Sequence, residues 1–201
     1  MSPWIAEVAR ALDARPPVER ASEAEAHAAV ALVLDGQGEL LFIERAQRAG
    51  DPWSGHVAFP GGRREPSDRD LLHTAMRETE EEVGLSLGAA RLLGALDDLP
   101  ALGPRRAGRS LVIRPYVFAL VERPPLRPNV EVAGVRWWPL QRLVAHEGRG
   151  HRPWVWGGQP ITLPTVDLGG AELWGLSLHM VDELLERMGR PPPTVPLRPS
   201  T

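Results

Sequence analysis

The sequence predicts one α/β (α+β) domain, and three observations carry that prediction. Two long segments, one closing at Gly84 and one over 178–188, repeat apolar residues at helical spacing. Strand-like apolar runs stand before and between those segments rather than in a block of their own. No internal repeat and no linker divides the 201 residues, which suffice for a single sizeable core.

The elements follow in order. Residues 3–13 place Trp4, Ile5, Val8 and Leu12 on one side of a short helix, and Pro16-Pro17 ends it. The run 28–34 and the run 40–44 flank the turn signal Asp35-Gly36-Gln37-Gly38, so a β-hairpin is expected. Residues 45–54 read as a loop. Pro60 sets a strand exit, and Gly61-Gly62 lets the backbone approach a ligand closely, although such a pair alone reads as a tight turn. Ser67 or Asp68 offers the N-cap of the next helix, with Leu71, Leu72, Ala75, Met76, Thr79 and Val83 on its core face and Gly84 as its stop. Strands are expected over 90–96 and 111–121, with a loop over 97–109 between them. Residues 129–140 read as a turn, a strand and a helix start, and 146–158 as a looped insertion of hairpin character. Leu178, Val181, Leu184, Leu185 and Met188 define the last helix. The proline-rich tail is expected to be extended.

Composition narrows the function classes. Hydrophobic residues make up 43% and charged residues 24%, as in ordinary soluble domains. A net charge of −3 gives no basic footprint, so nucleic acid is not an expected partner. With no cysteine, disulfides and thiolate metal sites are excluded, and the six histidines lack zinc spacing. Neither a leader peptide nor a membrane-spanning run is visible, so a cytoplasmic protein without a membrane partner is expected.

Chemistry concentrates at Glu78, Glu81 and Glu82. Their i, i+3, i+4 spacing stacks three carboxylates on one stripe, where like charges repel by about 0.2–0.5 kcal/mol per pair. A solvated acidic face is the plain alternative. The preceding Gly-Gly pair and Arg77, and the closing Gly84, favour a site compensated by a hard divalent cation such as Mg2+.

The stretch resembles the signature of the Nudix hydrolases. Gly62 and Arg77-Glu78-Thr79-Glu80-Glu81-Glu82-Val83-Gly84-Leu85 fill its main positions. Asp68 stands where a Glu is expected, eight residues rather than seven before Arg77, and Thr79 replaces an aliphatic residue. The variant with Asp and the longer spacer is similar to the coenzyme A pyrophosphatase branch. Leu40-Leu41-Phe42-Ile43-Glu44-Arg45, Gly55-His56-Val57-Ala58-Phe59-Pro60-Gly61-Gly62 and Trp174-Gly175-Leu176-Ser177 match that branch in part.

The resemblance implies a Nudix-type α/β/α sandwich with a mixed β-sheet over residues 25–190, an N-terminal extension over 1–24 and a tail over 191–201. A short helix over 141–147 follows from it too. It implies hydrolysis of a nucleoside diphosphate linked to another moiety, with Mg2+ or Mn2+ as cofactor. Glu78 and Glu82 are the expected metal ligands, with Glu81 a third ligand or the general base, and a carbonyl near Gly62 completing the shell. Arg77 is expected to orient a carboxylate, and Asp68 to brace the helix N-terminus. Glu131, outside the signature, is expected to be structural rather than a distal base. Arg45, His56, Arg63 and Trp53 are the expected substrate-binding residues. Arg48, Arg105, Arg106 and Arg109 are further cations for a 3′-phosphate, and Trp137 and Trp154 further stacking surfaces, although one of Trp137 and Trp138 should pack inward.

Coenzyme A or an acyl derivative, cut to 3′,5′-ADP and 4′-phosphopantetheine, is the expected substrate. ADP-ribose, dinucleoside polyphosphates and oxidised nucleoside triphosphates are alternatives within the same chemistry. A regulator that only binds nucleotide is disfavoured by the intact carboxylates. The expected partner is thus a small nucleotide, and the chain a monomer or homodimer.

Overall fold

Strand β1 (Ala26–Leu34) runs through the middle of the protein, and its alternation sets the layers. In the computed structural model, which describes residues 2–20, 26–48, 54–101, 110–156 and 158–193, successive β1 side chains enter two different cores. Leu32 and Leu34 join Ile5, Val8 and Leu12 of α1 (Pro3–Asp13) and Leu178, Val181 and Leu184 of α4 (Gly175–Arg187). Ala29, Ala31 and Val33 join Ala75 and Val83 of α2 (Leu71–Val83). The period-two pleat thus buries both sheet faces and makes an α/β/α sandwich. Because α1 packs into the same core as α4, this part of the expected N-terminal extension belongs to the body of the domain.

The sheet is mixed. β1 lies parallel to β7 (Leu111–Ala119), from Ala26↔Leu111 to Leu34↔Ala119. On the far side of β7, β5 (Arg91–Ala95) and β6 (Leu99–Pro100) pair antiparallel. β2 (Glu39–Arg45) pairs along its length with β8 (Val132–Pro139), with a bulge between Glu44 and Arg45.

The expected hairpin is confined to its closing end. β1 and β2 meet at Leu34↔Leu40, where the Asp35 carboxylate accepts from the Gln37 and Glu39 amides. Below that pair each strand takes another partner. β3 (Val57–Ala58) pairs with β2 at Ile43↔Ala58, and β4 (Gly61–Arg63) pairs with β1 at Val30↔Gly61, Ala29↔Gly62 and Ala28↔Arg63. Segment 57–63 is therefore a wedge that splays the two strands.

Other boundaries differ from expectation for local reasons. Asp70, not Ser67 or Asp68, caps α2, accepting from the His73 amide at 2.7 Å. Gly84 ends it in the left-handed conformation, φ 68. α3 (Leu140–Val144) starts and ends earlier than 141–147, and α4 opens at Gly175 rather than 178. The 146–158 insertion has the expected hairpin character, extended by a further strand: β9 (Arg149–Trp156) pairs with β10 (Gln159–Asp167), which pairs with β11 (Glu172–Trp174) in a second, three-stranded sheet. Among the described residues no helix is long and apolar enough to cross a membrane.

One buried ion pair fastens the N-terminal strap to the sheet. Asp98, 2% exposed, accepts from Arg114 Nε at 2.6 Å, Arg114 Nη2 at 2.7 Å and the Arg20 amide at 2.7 Å. Burial pushes its carboxyl up, but the bonds from Arg114 and the Arg20 amide, with the charges of Arg114 and His27, outweigh burial and leave it below its ordinary value. A depressed folded-state pKa contributes stability above the unfolded value, about 3.9, and that stability is lost as pH falls through the folded value. Asp98→Asn is therefore expected to cost about 3 kcal/mol at pH 7, since it breaks a buried pair and leaves the Arg114 guanidinium only the exposed Glu19 carboxylate at 3.3 Å as a charge partner. Urea unfolding at pH 7 and at pH 3 checks it: the gap between wild type and variant should shrink at the lower pH.

Candidate active site

The site is built where the wedge meets α2. Asp68 comes first because it fixes Arg77. Its buried carboxylate accepts from Arg77 Nε and Nη2, both at 3.0 Å, from the Glu65 amide at 2.9 Å and from Thr74 Oγ1 at 2.9 Å, with His73 Nδ1 also at 2.9 Å. The two-pronged bond from Arg77 holds this carboxyl far below the usual carboxylate range, against the opposing effect of burial. While Asp70 supplies the backbone cap, Asp68 holds the first turn of α2 through the His73 and Thr74 side chains. It anchors the arginine.

From that anchor Arg77 fans out. Nη2 donates to the Arg63 carbonyl at 3.1 Å and lies 3.0 Å from Glu78 Oε1, and Nη1 donates to Glu81 Oε2 at 3.2 Å. With a side chain 16% exposed it is no loose surface pair.

Two carboxylates converge on the Gly61-Gly62 bend. Glu78 sits so close to Gly62 that a Cβ there would lie 2.4 Å from its carboxyl carbon. Glu82 is 5% exposed, and its Oε2 accepts from the Gly61 amide at 2.9 Å. Burial pushes Glu78 up, with Arg77 opposing. Burial pushes Glu82 up to about 7, opposed by the Gly61 amide and Arg45 and reinforced by the charges of Glu78 and Glu131. Glu81, half exposed, shares the Arg77 guanidinium with Glu78. Among the described residues no three acidic or histidine side chains are gathered as a ligand set. The structure thus turns Glu78 and Glu82 to the Gly61-Gly62 bend, with Glu81 on the exposed side of Arg77. Two oxygen donors that destabilise each other beside a bare glycine backbone suit a hard divalent cation, which takes oxygen ligands and keeps waters of its own.

A cleft of about 470 Å³ opens from this bend. Arg45, His56 and Arg63 line it, on an apolar floor that includes Val30 and Ile113. Trp53, Arg105, Arg106 and Arg109 lie outside the described residues. Arg48 is paired with Glu131 at 2.8 Å, both side chains largely exposed. Glu131 belongs to a turn tied to α2, in which the Asn129 amide donates to the Glu82 carbonyl at 2.9 Å. Trp137 and Trp138 join opposite cores, covered by Arg123 at 4.4 Å and Arg142 at 4.3 Å respectively.

Sequence reasoning missed the opposite wall. Trp174, Gly175, Leu176, Ser177 and Met180 line the cleft from the β11–α4 junction. The signal was present in the Trp174-Gly175-Leu176-Ser177 match, but nothing local said that this segment faces the Gly-Gly bend. The floor was hidden for a related reason: Val30 and Ile113 come from strands far apart in the chain.

Comparison with known proteins follows the same outline. The NUDIX domain model matches residues 25–155. The human mitochondrial coenzyme A diphosphatase NUDT8 is 34% identical over 155 residues, which are 75% of this chain and 63% of that protein. The chain therefore spans somewhat less than two thirds of that relative. A Nudix hydrolase of Photorhabdus laumondii, NudL, is 28% identical over 184 residues, 86% of this chain and 90% of that one. Among solved structures, an Ap4A hydrolase of C. elegans in a binary complex superposes with a TM-score of 0.48 at 18% identity, over 60% of this chain and 84% of that one.

Proposed function

Because the chain belongs to the NUDIX domain family, we propose that it is a metal-dependent hydrolase of nucleoside-diphosphate derivatives, with coenzyme A or an acyl derivative as substrate. The observation that carries the proposal is the convergence of half-buried Glu78 and buried Glu82 on the Gly61-Gly62 bend at the end of a cleft. A regulator that only held nucleotide would gain nothing from two largely desolvated carboxylates that repel both each other and the ligand.

The chemical obstacle is that water must attack a group already carrying negative charge. Mg2+ or Mn2+ held by Glu78, Glu82 and the backbone near Gly62 would screen that charge and make a bound water more acidic. The chain's own residues supply the rest. Arg45, His56 and Arg63 bind and orient the diphosphate along the cleft. Glu81, the accessible carboxylate on Arg77, accepts the proton of the attacking water. Water adds to one phosphorus, the bridging P–O bond breaks, and two phosphomonoesters leave. Arg77, pinned by Asp68, keeps Glu78 and Glu81 in place throughout.

Support for coenzyme A comes from the relative named for that activity and from Asp68 with its longer spacer. A panel of coenzyme A, ADP-ribose, diadenosine polyphosphates and nucleoside triphosphates, each with Mg2+ or Mn2+, tests it by mass spectrometry of the products. Release of 3′,5′-ADP and 4′-phosphopantetheine is expected. Turnover of another compound in preference to coenzyme A overturns the substrate, and saturable binding without turnover overturns the enzyme.

A further inference from the structure

The sheet face that packs on α1 and α4 is not covered along its whole length. On β1, Leu32 and Leu34 are fully buried in the core those helices share. Earlier on the same face, Val30 is only half-buried and lines the cleft together with Ala28. On β7, Leu111 and Ile113 do the same, both half-buried. Ala101, whose amide donates to the Leu111 carbonyl at 2.9 Å, closes the row. Side chains two apart on a strand share a face, so these positions form one continuous floor. Not one of them carries a hydrogen-bonding side chain.

The register gives this floor a direction. Arg63 of β4 stands opposite Ala28, Ala28 opposite Ile113, and Ile113 opposite Leu99 of β6. The row therefore crosses three strand-to-strand steps away from the Gly61-Gly62 bend, about 14 Å at the usual spacing. Its character changes along the way. Arg45, His56 and Arg63 belong to β2, the approach to β3, and β4, all on the side of β1 away from β7. Beyond β1 only aliphatic side chains follow, and Leu176 and Met180 of α4 border the same cleft. A diphosphate belongs at the cationic end, so one of the groups attached to it extends over the aliphatic end.

The floor discriminates between the two halves of the conjugate. A purine carries polar atoms around its whole rim, and laid on aliphatic carbon it would lose water without replacement. Among the described lining residues no aromatic face is open to stack it. Trp174 is 8% exposed and covered by Arg152, whose guanidinium lies 4.5 Å from the ring centroid, and Phe59 is 3% exposed. The 4′-phosphopantetheine half is different. Its geminal methyls and methylenes are apolar, and its hydroxyl and amides are spaced along a flexible chain that can turn them to the open side. That chain, about a dozen bonds, spans roughly 14 Å when extended, which matches the row.

We propose that the floor formed by β1 and β7 is the subsite for the non-nucleotide arm of the substrate, a methylene-rich chain, with the nucleotide half lying off the floor on the other side of the bend. Val30 and Ile113 are then specificity-determining residues. The proposal rests on the coenzyme A reading of the cleft.

The test uses the two expected products, 4′-phosphopantetheine and 3′,5′-ADP, which can be titrated with Mg2+ present because neither is turned over. Wild type is compared with Val30→Thr, Ile113→Thr and the double variant. Threonine keeps the β-branch that strands favour, and it places a hydroxyl where the carbon of the arm would lie. By calorimetry the double variant should bind 4′-phosphopantetheine about tenfold more weakly, and 3′,5′-ADP within about twofold of wild type. KM for coenzyme A should rise about tenfold. In the wild type, whose fold is not at issue, the Val30 and Ile113 methyl protons should show NOEs to the geminal methyls of bound 4′-phosphopantetheine.

Loss of affinity for 3′,5′-ADP instead, equal loss for both products, or no loss for either overturns the proposal while coenzyme A hydrolysis stands. NOEs from these methyls to the adenine protons do the same. Binding in the expected pattern without any turnover overturns the hydrolase alone. A wild type that neither cleaves coenzyme A nor binds 4′-phosphopantetheine overturns the substrate and the proposal together.

Discussion

Glu82→Gln is expected to lower turnover by about 10²–10⁴-fold while the protein remains folded. Glu82 is the more deeply buried of the two glutamates at the bend, and its carboxylate faces the bend rather than solvent. Glutamine keeps its shape, and the amide oxygen can still accept from Gly61. What it loses is the negative charge that a divalent cation needs, worth several kcal/mol at a low-dielectric position. Stability should hold within about 1 kcal/mol, because a neutral amide is cheaper to bury than a charge. Steady-state kinetics across an Mg2+ titration, with a thermal melt of the same preparation, decides it. A variant with near-normal rate at low Mg2+ would remove Glu82 from the metal site. A variant that loses both rate and melting transition would mean that Glu82 serves the fold.

Two adjacent glycines should respond in opposite ways. In Gly62→Ala the new Cβ would lie 2.4 Å from Glu78 Oε1, the far end of a flexible side chain that can swing aside. The fold should survive, but Glu78 would leave the bend, and kcat/KM is expected to fall by about 10–10³-fold. In Gly61→Ala the Cβ would lie 2.3 Å from the Ala29 carbonyl oxygen and 2.6 Å from Val30 Cα, both main chain of the central strand, at a φ of 153 that disfavours a side chain. Strand β1 cannot give way as a side chain can, so the expected cost is about 1–3 kcal/mol or more of stability. Melting temperatures and rates measured on both variants separate the two effects. Equal loss of stability in both would show that the bend responds as one unit and that Gly62 has no distinct part in placing Glu78.

The legible part of this protein follows local rules. The helix ending at Gly84 was readable because an apolar stripe, a left-handed stop and three acids at i, i+3, i+4 are all properties of neighbouring residues. Its start was not, since Ser67, Asp68 and Asp70 are each adequate caps. The choice fell to Asp70 once Arg77, nine residues on, drew Asp68 inward. The hairpin was readable at its turn, where Asp35 and the glycines sit. It was not readable further down, where β3 and β4 displace each strand from the other. Likewise the 146–158 segment showed hairpin character, but its partner strands become visible only when β10 and β11 close the second sheet.

What the sequence alone determined is therefore the chemical inventory: an acidic helix, a glycine bend set before it, and an α/β alternation able to bury both faces of a sheet. Those depend on period and spacing, which the order of residues specifies directly. Tertiary structure decided which of the acids face the bend, that Asp68 pins the Arg77 guanidinium shared by Glu78 and Glu81, and that Trp174 closes the cleft against His56. Each of these is a contact between segments whose separation along the chain carries no information about their distance in space, and packing in three dimensions alone fixes it.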